Sequence, residues 1–103
     1  MPMVLTVLEA HVAPERERVL TAAYRQAAQD SFPPGLLRST LMQGTSDRTL
    51  WRIETLWQSG EAVAAMRVAG TPRGIQIFRA AGAEPSVSIL EVVEVLSPPG
   101  GAA

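Results

Sequence analysis

Apolar residues along this chain fall into alternating runs and into runs of helical period, and the changes from one to the other mark the elements. From Met3 to Val12 branched aliphatics dominate over the length of a strand, with Leu5, Val7, Glu9 and His11 on one face. Pro14 suits the first turn of a helix, where a missing N–H loses no partner, and Glu15 and Glu17 follow where the helix dipole favours acids. Val19, Leu20, Ala23, Tyr24, Ala27 and Ala28 then recur at helical spacing, so the first helix is predicted to run to about Asp30 with its charged residues turned to water. Phe32-Pro33-Pro34-Gly35 breaks it. A second strand is predicted over Leu36 to Gln43, a hairpin loop over Gly44 to Arg48, and a third strand over Thr49 to Trp57. In that third strand Trp51, Ile53, Thr55 and Trp57 share one face, and Leu50, Arg52, Glu54 and Leu56 the other. Ser59 can cap a helix that starts near Gly60 and stops at Gly70. Thr71-Pro72 reads as a second cap and first-turn proline, opening a short helix with Ile75, Ile77 and Phe78 that ends at Gly82. A fourth strand is predicted from Ser86 to Leu96, and the Pro- and Gly-rich end at 97–103 is expected to be a mobile tail.

The order β, α, β, β, a broken α, β is that of an α+β ferredoxin-like split βαβ fold, with a four-stranded antiparallel sheet covered by helices on one face. One domain over 1–96 is expected. The strands carry apolar side chains on both faces, so the uncovered face needs a partner, and packing it on a second copy gives a homodimer. The hydrophobic share of 47% is high for 103 residues and agrees with an additional buried interface.

Charge and composition remove several function classes. Nine basic residues against ten acidic ones, scattered along the chain, form no surface for a phosphate backbone, so nucleic acid is not expected as a partner. There is no cysteine, which excludes disulfides, a thiolate metal site and a cysteine nucleophile. The start MPMVLTVLEAH has no basic segment and meets Glu9 and His11 before any apolar run long enough for a signal or a membrane span. A cytoplasmic protein without a membrane partner is the expectation.

The junction Glu54-Thr55-Leu56-Trp57-Gln58-Ser59-Gly60-Glu61-Ala62-Val63, followed by Thr71-Pro72 and the closing Glu84-Pro85-Ser86-Val87, resembles the antibiotic biosynthesis monooxygenase family of dimeric α+β barrel proteins. The resemblance covers nearly the whole chain, from about Met3 to Leu96. It implies a homodimer in which two sheets form one barrel, with a small-molecule pocket between sheet and helices of each subunit. It also implies a range of activities, among them cofactor-independent oxidation of aromatic polyketides, haem degradation and action on small signalling molecules. Two departures bear on chemistry. Where much of the family keeps a histidine, or a tryptophan in the haem-degrading branch, nine residues beyond the junction tryptophan, this chain has Met66, which cannot move a proton. Where the haem-degrading branch ligates iron through histidine, this chain has Gln76, and the strand-one asparagine of that branch has no counterpart near Leu8 and Glu9. No cofactor and no metal are therefore expected.

The remaining chemistry is carried by few residues. His11, the single histidine, shares a strand face with Glu9 and is a candidate catalytic proton acceptor, although a lone histidine near a strand end is more often a surface residue. Tyr24 is a second candidate, its hydroxyl seeking a backbone group or a bound phenol. Trp51, Trp57, Met66 and Phe78 are candidate walls of a pocket for a small apolar or aromatic molecule, with plain core as the alternative for the indoles. Arg52 and Glu54 are assigned to the dimer interface, where buried charges must be paired. Two readings follow. One is a cofactor-independent, monooxygenase-like oxidoreductase acting with O2 on an aromatic or polyketide-like substrate; the other is a non-catalytic ligand-binding or structural dimer that lacks the family's catalytic residues.

Overall fold

The computed structural model describes residues 1–100. Strand β1 spans Val4–His11, a 3-10 turn Pro14–Arg16 leads into helix α1 at Glu17–Ala27, and strands β2 (Leu36–Gln43) and β3 (Leu50–Trp57) form a hairpin. Helices α2 (Gly60–Val68) and α3 (Arg73–Ala80) follow, then strand β4 at Ser86–Glu91. All strand pairings are antiparallel and the order across the sheet is β2-β3-β1-β4. This is the ferredoxin-like α+β arrangement that the alternation pattern predicts.

Burial along β1 and β3 follows the pleat. Val4, Thr6, Leu8 and Ala10 on β1 and Trp51, Ile53, Thr55 and Trp57 on β3 are buried beneath the helices, while the residues between them turn to the other face. The core has two parts. Leu8, Val12, Leu20, Trp51, Ile53, Ile77 and Phe78 belong to the larger, with Ala23, Tyr24 and Ala27 of α1 packed against it; Val4, Trp57 and Val63 make the smaller, with Leu36, Ala62 and Met66 alongside. Phe78 and Leu20 are wholly buried. Trp57 Nε1 donates to Thr6 Oγ1 at 3.0 Å, which satisfies the indole inside the sheet–helix layer. Gly74 allows α3 to lie directly on β1, since a Cβ there would meet the Leu8 side chain.

β1 is one residue shorter at each end than Met3 to Val12, β3 starts at Leu50 rather than Thr49, and three further boundaries differ from the sequence expectation. The first helix opens as a 3-10 turn and its last helical residue is Ala27, three short of Asp30. Thr71 does not cap α3; Pro72 takes the N-cap position with no side-chain hydrogen bond. The fourth strand stops at Glu91 rather than Leu96, because Val92 N donates to Met3 O at 2.9 Å and β1 offers no further partner beyond that point. Val93, Val95 and Leu96 are consequently left in solvent. Of the tail expected at 97–103, residues 97–100 are exposed and outside any helix or strand, and 101–103 lie outside the described residues.

The second sheet face carries Leu5, Val7 and Glu9 of β1, Leu50, Arg52, Glu54 and Leu56 of β3, and Leu90 of β4, with no helix of this chain over it. A register shift between Leu36 and Arg38 sets Leu36 opposite Trp57 on the helix side and Arg38 opposite Leu56 on this outer side. Leu37 at the irregularity is exposed. Among the described residues no helix is long and apolar enough to cross a membrane.

Candidate functional site

A concavity lies where the α1–β2 loop meets α2 and the start of α3, an open cleft of about 780 Å³. One wall is the loop Phe32-Pro33-Pro34-Gly35; the opposite side is α2, from which Ala62, Ala65 and Met66 face the cleft at helical spacing, with Ala69 at its C-cap. Gln58 and Ser59 close one end, and Thr71, Pro72, Arg73 and Gln76 the other.

Local sequence chemistry explains how these parts meet. The double proline stops any continuation of α1, and Gly35 turns the chain with φ +86°, a conformation that favours glycine. A Cβ at Gly35 would stand 2.5 Å from the Ala62 Cβ, so the loop rests directly on α2. Gln58 N donates to Gly35 O at 2.7 Å, tying the loop to the end of β3. Ser59 Oγ accepts from Ala62 N at 3.2 Å and caps α2 as its sequence position predicts. Across the far end, Arg73 Nη1 donates to Asp30 Oδ2 and joins α3 to the residue that opens the loop.

The lining is mostly small and apolar, with Glu61 and Arg73 as its two ionisable side chains. It therefore offers dispersion contact, amide groups from Gln58 and Gln76, one carboxylate and one guanidinium. Among the described residues no group of three or more His, Cys, Asp or Glu could hold a metal ion. Gln76, at the position where the resemblance points to an iron ligand in a related branch, lines the cleft as an amide.

The residues singled out from sequence are dispersed. Met66 lines the cleft. Trp57 lies behind it in the smaller core cluster, beneath Met66 and Ala62, while Trp51 and Phe78 are buried in the larger one. Trp51 Nε1 is buried without a hydrogen-bond partner. Tyr24 shares a 2.8 Å hydrogen bond with Ser39 Oγ on β2 and does not line the cleft. His11 stands on the surface at the far end of β1, with Nε2 3.1 Å from Asp47 Oδ2. Asp47 is in turn held by Thr49, whose Oγ1 and N donate to Oδ1 at 2.7 and 3.0 Å. These Thr49 hydrogen bonds, with a smaller contribution from His11, keep the Asp47 carboxyl below its ordinary value.

Arg52 and Glu54 are on the outer face. Arg52 Nε and Nη2 donate to Glu9 Oε2 at 2.9 and 2.5 Å, and Nη1 donates to Glu54 Oε2 at 3.3 Å. The hydrogen bonds to Glu9 first, then to Glu54, raise the Arg52 pKa and hold it as a cation. A smaller basin of about 320 Å³ surrounds this cluster, bounded by Leu5, Val7, Ser88 and Leu90.

Sequence reasoning did not single out Phe32, Gln58, Glu61, Ala65 or Arg73 as wall residues of the site. The signal present was the Pro-Pro-Gly break, read there only as the end of a helix.

The likeness to known proteins agrees with the fold. No curated protein matches the chain. Among solved structures, the cofactor-independent oxygenase SnoaB from Streptomyces nogalater is similar at a TM-score of 0.65 and 19% identity, covering 93% of this chain and 98% of its own. A family member from Caulobacter crescentus has a TM-score of 0.70 at 20% identity, covering 90% of this chain and 92% of its own. Another from Bordetella bronchiseptica has a TM-score of 0.70 at 16% identity over 93% of this chain and 100% of its own. At these identities the structures speak for the fold alone. The family model described as antibiotic biosynthesis monooxygenase matches residues 3–69, through β1, α1, β2, β3 and α2, and the chain belongs to that family.

Proposed function

We propose that this chain works as a homodimer that binds a small apolar or aromatic molecule in the cleft between the 31–35 loop and α2. The observation that carries the reading is the cleft itself, about 780 Å³ with an alanine and methionine floor. A volume of that order lies in the range of small-molecule sites. Phe32, exposed at 57% and one of the cleft residues, supplies a ring against which a planar ligand can stack. The protein is expected in the cytoplasm.

The second copy covers the outer sheet face. Leu5, Val7, Leu50 and Leu56 lie only half-buried there, and Leu90 is 52% exposed, an apolar surface that one chain cannot shield. Light scattering at micromolar concentration tests this part, and a clean monomer would contradict it.

A second reading, oxidation of the bound molecule by O2 without a cofactor, is favoured by the likeness to the Streptomyces nogalater oxygenase. The acidic methylene of an anthrone-type substrate would lose its proton to Glu61, the single carboxylate of the cleft, because His11 and Tyr24 are engaged elsewhere. The carbanion would pass an electron to O2 and recombine with it, the peroxide anion formed would take the proton back from Glu61, and the hydroperoxide would lose water to leave a carbonyl. Tryptophan fluorescence titration with bicyclic aromatics tests binding, with Ala65→Trp filling the cleft as the control. Oxygen uptake with an anthrone tests chemistry, in the parent and in Met66→His. Saturable binding abolished by Ala65→Trp supports the binder, turnover abolished by Glu61→Gln supports the oxygenase, and the absence of both defeats the assignment of the cleft.

A further inference from the structure

The two charged side chains of the cleft lie at opposite ends of it. Glu61 is in the first turn of α2, while Arg73 follows the turn beyond its last residue. By the rise of 1.5 Å per residue, the part of α2 between Glu61 and Val68 spans roughly 10 Å, more than the length of a bicyclic aromatic ring system. An acidic group at the Arg73 end is thus removed from the Glu61 carboxylate. At the Arg73 end the neighbouring polar side chains are Thr71 and Gln76, the latter one turn further along α3, where its amide can donate to the same acceptor.

Arg73 is also held in a defined attitude. Its Nη1 is engaged by Asp30, and among the described residues no protein acceptor meets its Nε or Nη2. A guanidinium presents its donors as a planar fork, so one edge can be fixed by Asp30 while the remaining donors stay available to a carboxylate. Half of the Arg73 side chain is solvent-exposed, which limits the strength of such a contact and leaves it accessible.

We propose that Arg73 determines the specificity of the cleft by selecting ligands that carry a carboxylate or similar acidic oxygen beside a planar apolar body, with Asp30 as the residue that positions it. The proposal rests on the cleft being the ligand site. Its ligand lies along α2, ring system over Ala65 and Met66, acidic group at the start of α3. Arg73 then contributes to affinity for anionic ligands and adds little for neutral ones of the same shape.

The test compares 2-naphthoate with 2-naphthamide at neutral pH, two probes of the same size that differ in charge, by fluorescence titration of the full chain. A charge-assisted hydrogen bond at a half-exposed site should favour the carboxylate by about tenfold. Arg73→Gln should bring the two dissociation constants together, chiefly by weakening naphthoate, and Arg73→Lys should keep part of the preference. Added salt should reduce the preference in the parent and leave the glutamine variant unchanged. Equal affinities in the parent, or the same preference in Arg73→Gln, would overturn the proposal; if both probes are still displaced by Ala65→Trp, the cleft reading survives that outcome. Binding of neither probe would overturn both.

Discussion

Replacing Arg52 by methionine distinguishes a solvated outer face from one covered by a second copy. Arg52 bridges Glu9 and Glu54 through three hydrogen bonds, and its side chain is 44% exposed in the single chain, with Glu9 at 34% and Glu54 at 29%. Were that face in water, each ion pair would be screened and worth about 0.2–1 kcal/mol, and the two carboxylates left behind would be hydrated. The loss on Arg52→Met would then be about 1 kcal/mol. In a dimer that buries the face, the same change strands two carboxylates without a counter-ion in a water-poor layer, a loss of about 3–5 kcal/mol. Urea unfolding at a low and a high protein concentration measures the difference. The dimer account predicts a parent whose midpoint rises with concentration and a variant that loses about 3 kcal/mol or more, with dissociation at the lower concentration. A loss below about 1 kcal/mol, equal at both concentrations, would refute the reasoning.

Further outcomes follow from the described geometry. Phe78→Ala removes a wholly buried ring and should lower unfolding free energy by about 3–5 kcal/mol in urea titration. Gly35→Ala forces a side chain into φ +86° and against Ala62; a loss of about 1–3 kcal/mol is expected by the same method, with weaker binding of aromatics as the loop lifts from α2. Asp47 contributes through a lowered folded-state pKa, set mainly by Thr49. That stability is fully present above the ordinary aspartate value and is lost as pH falls through the folded one. Asp47→Asn should therefore lower the thermal midpoint at neutral pH, and the difference should shrink progressively as pH falls below the ordinary aspartate value.

The strands and their faces were legible because each signal was local. β2 was recoverable end to end because a Pro-Pro-Gly break precedes it and a Gly-Thr-Ser-Asp-Arg loop follows. The start of α2 was legible too, since its Ser59 cap is a short-range hydrogen bond to Ala62. The end of β4 was not legible, since Val92-Val93-Glu94-Val95-Leu96 has strand composition but no strand edge left to pair with beyond Met3. Strand alternation set Trp51 and Trp57 on one face, yet alternation carries no information on whether that face meets packed side chains or a cavity. The cleft escaped notice for a different reason. Its floor is made of alanines without chemical signature, and one end of it is held by Asp30 and Arg73, 43 residues apart in the chain.

The central claim is that ligands enter between the 31–35 loop and α2. Chemical-shift mapping of backbone amides during titration with 2-naphthoate tests it most directly. The account predicts saturable perturbations at Phe32, Gly35, Gln58, Ala65, Met66 and Gln76, with Leu5, Arg52 and Leu90 unmoved. Perturbations centred on Leu5, Arg52 and Leu90 would place binding on the outer sheet face and contradict it.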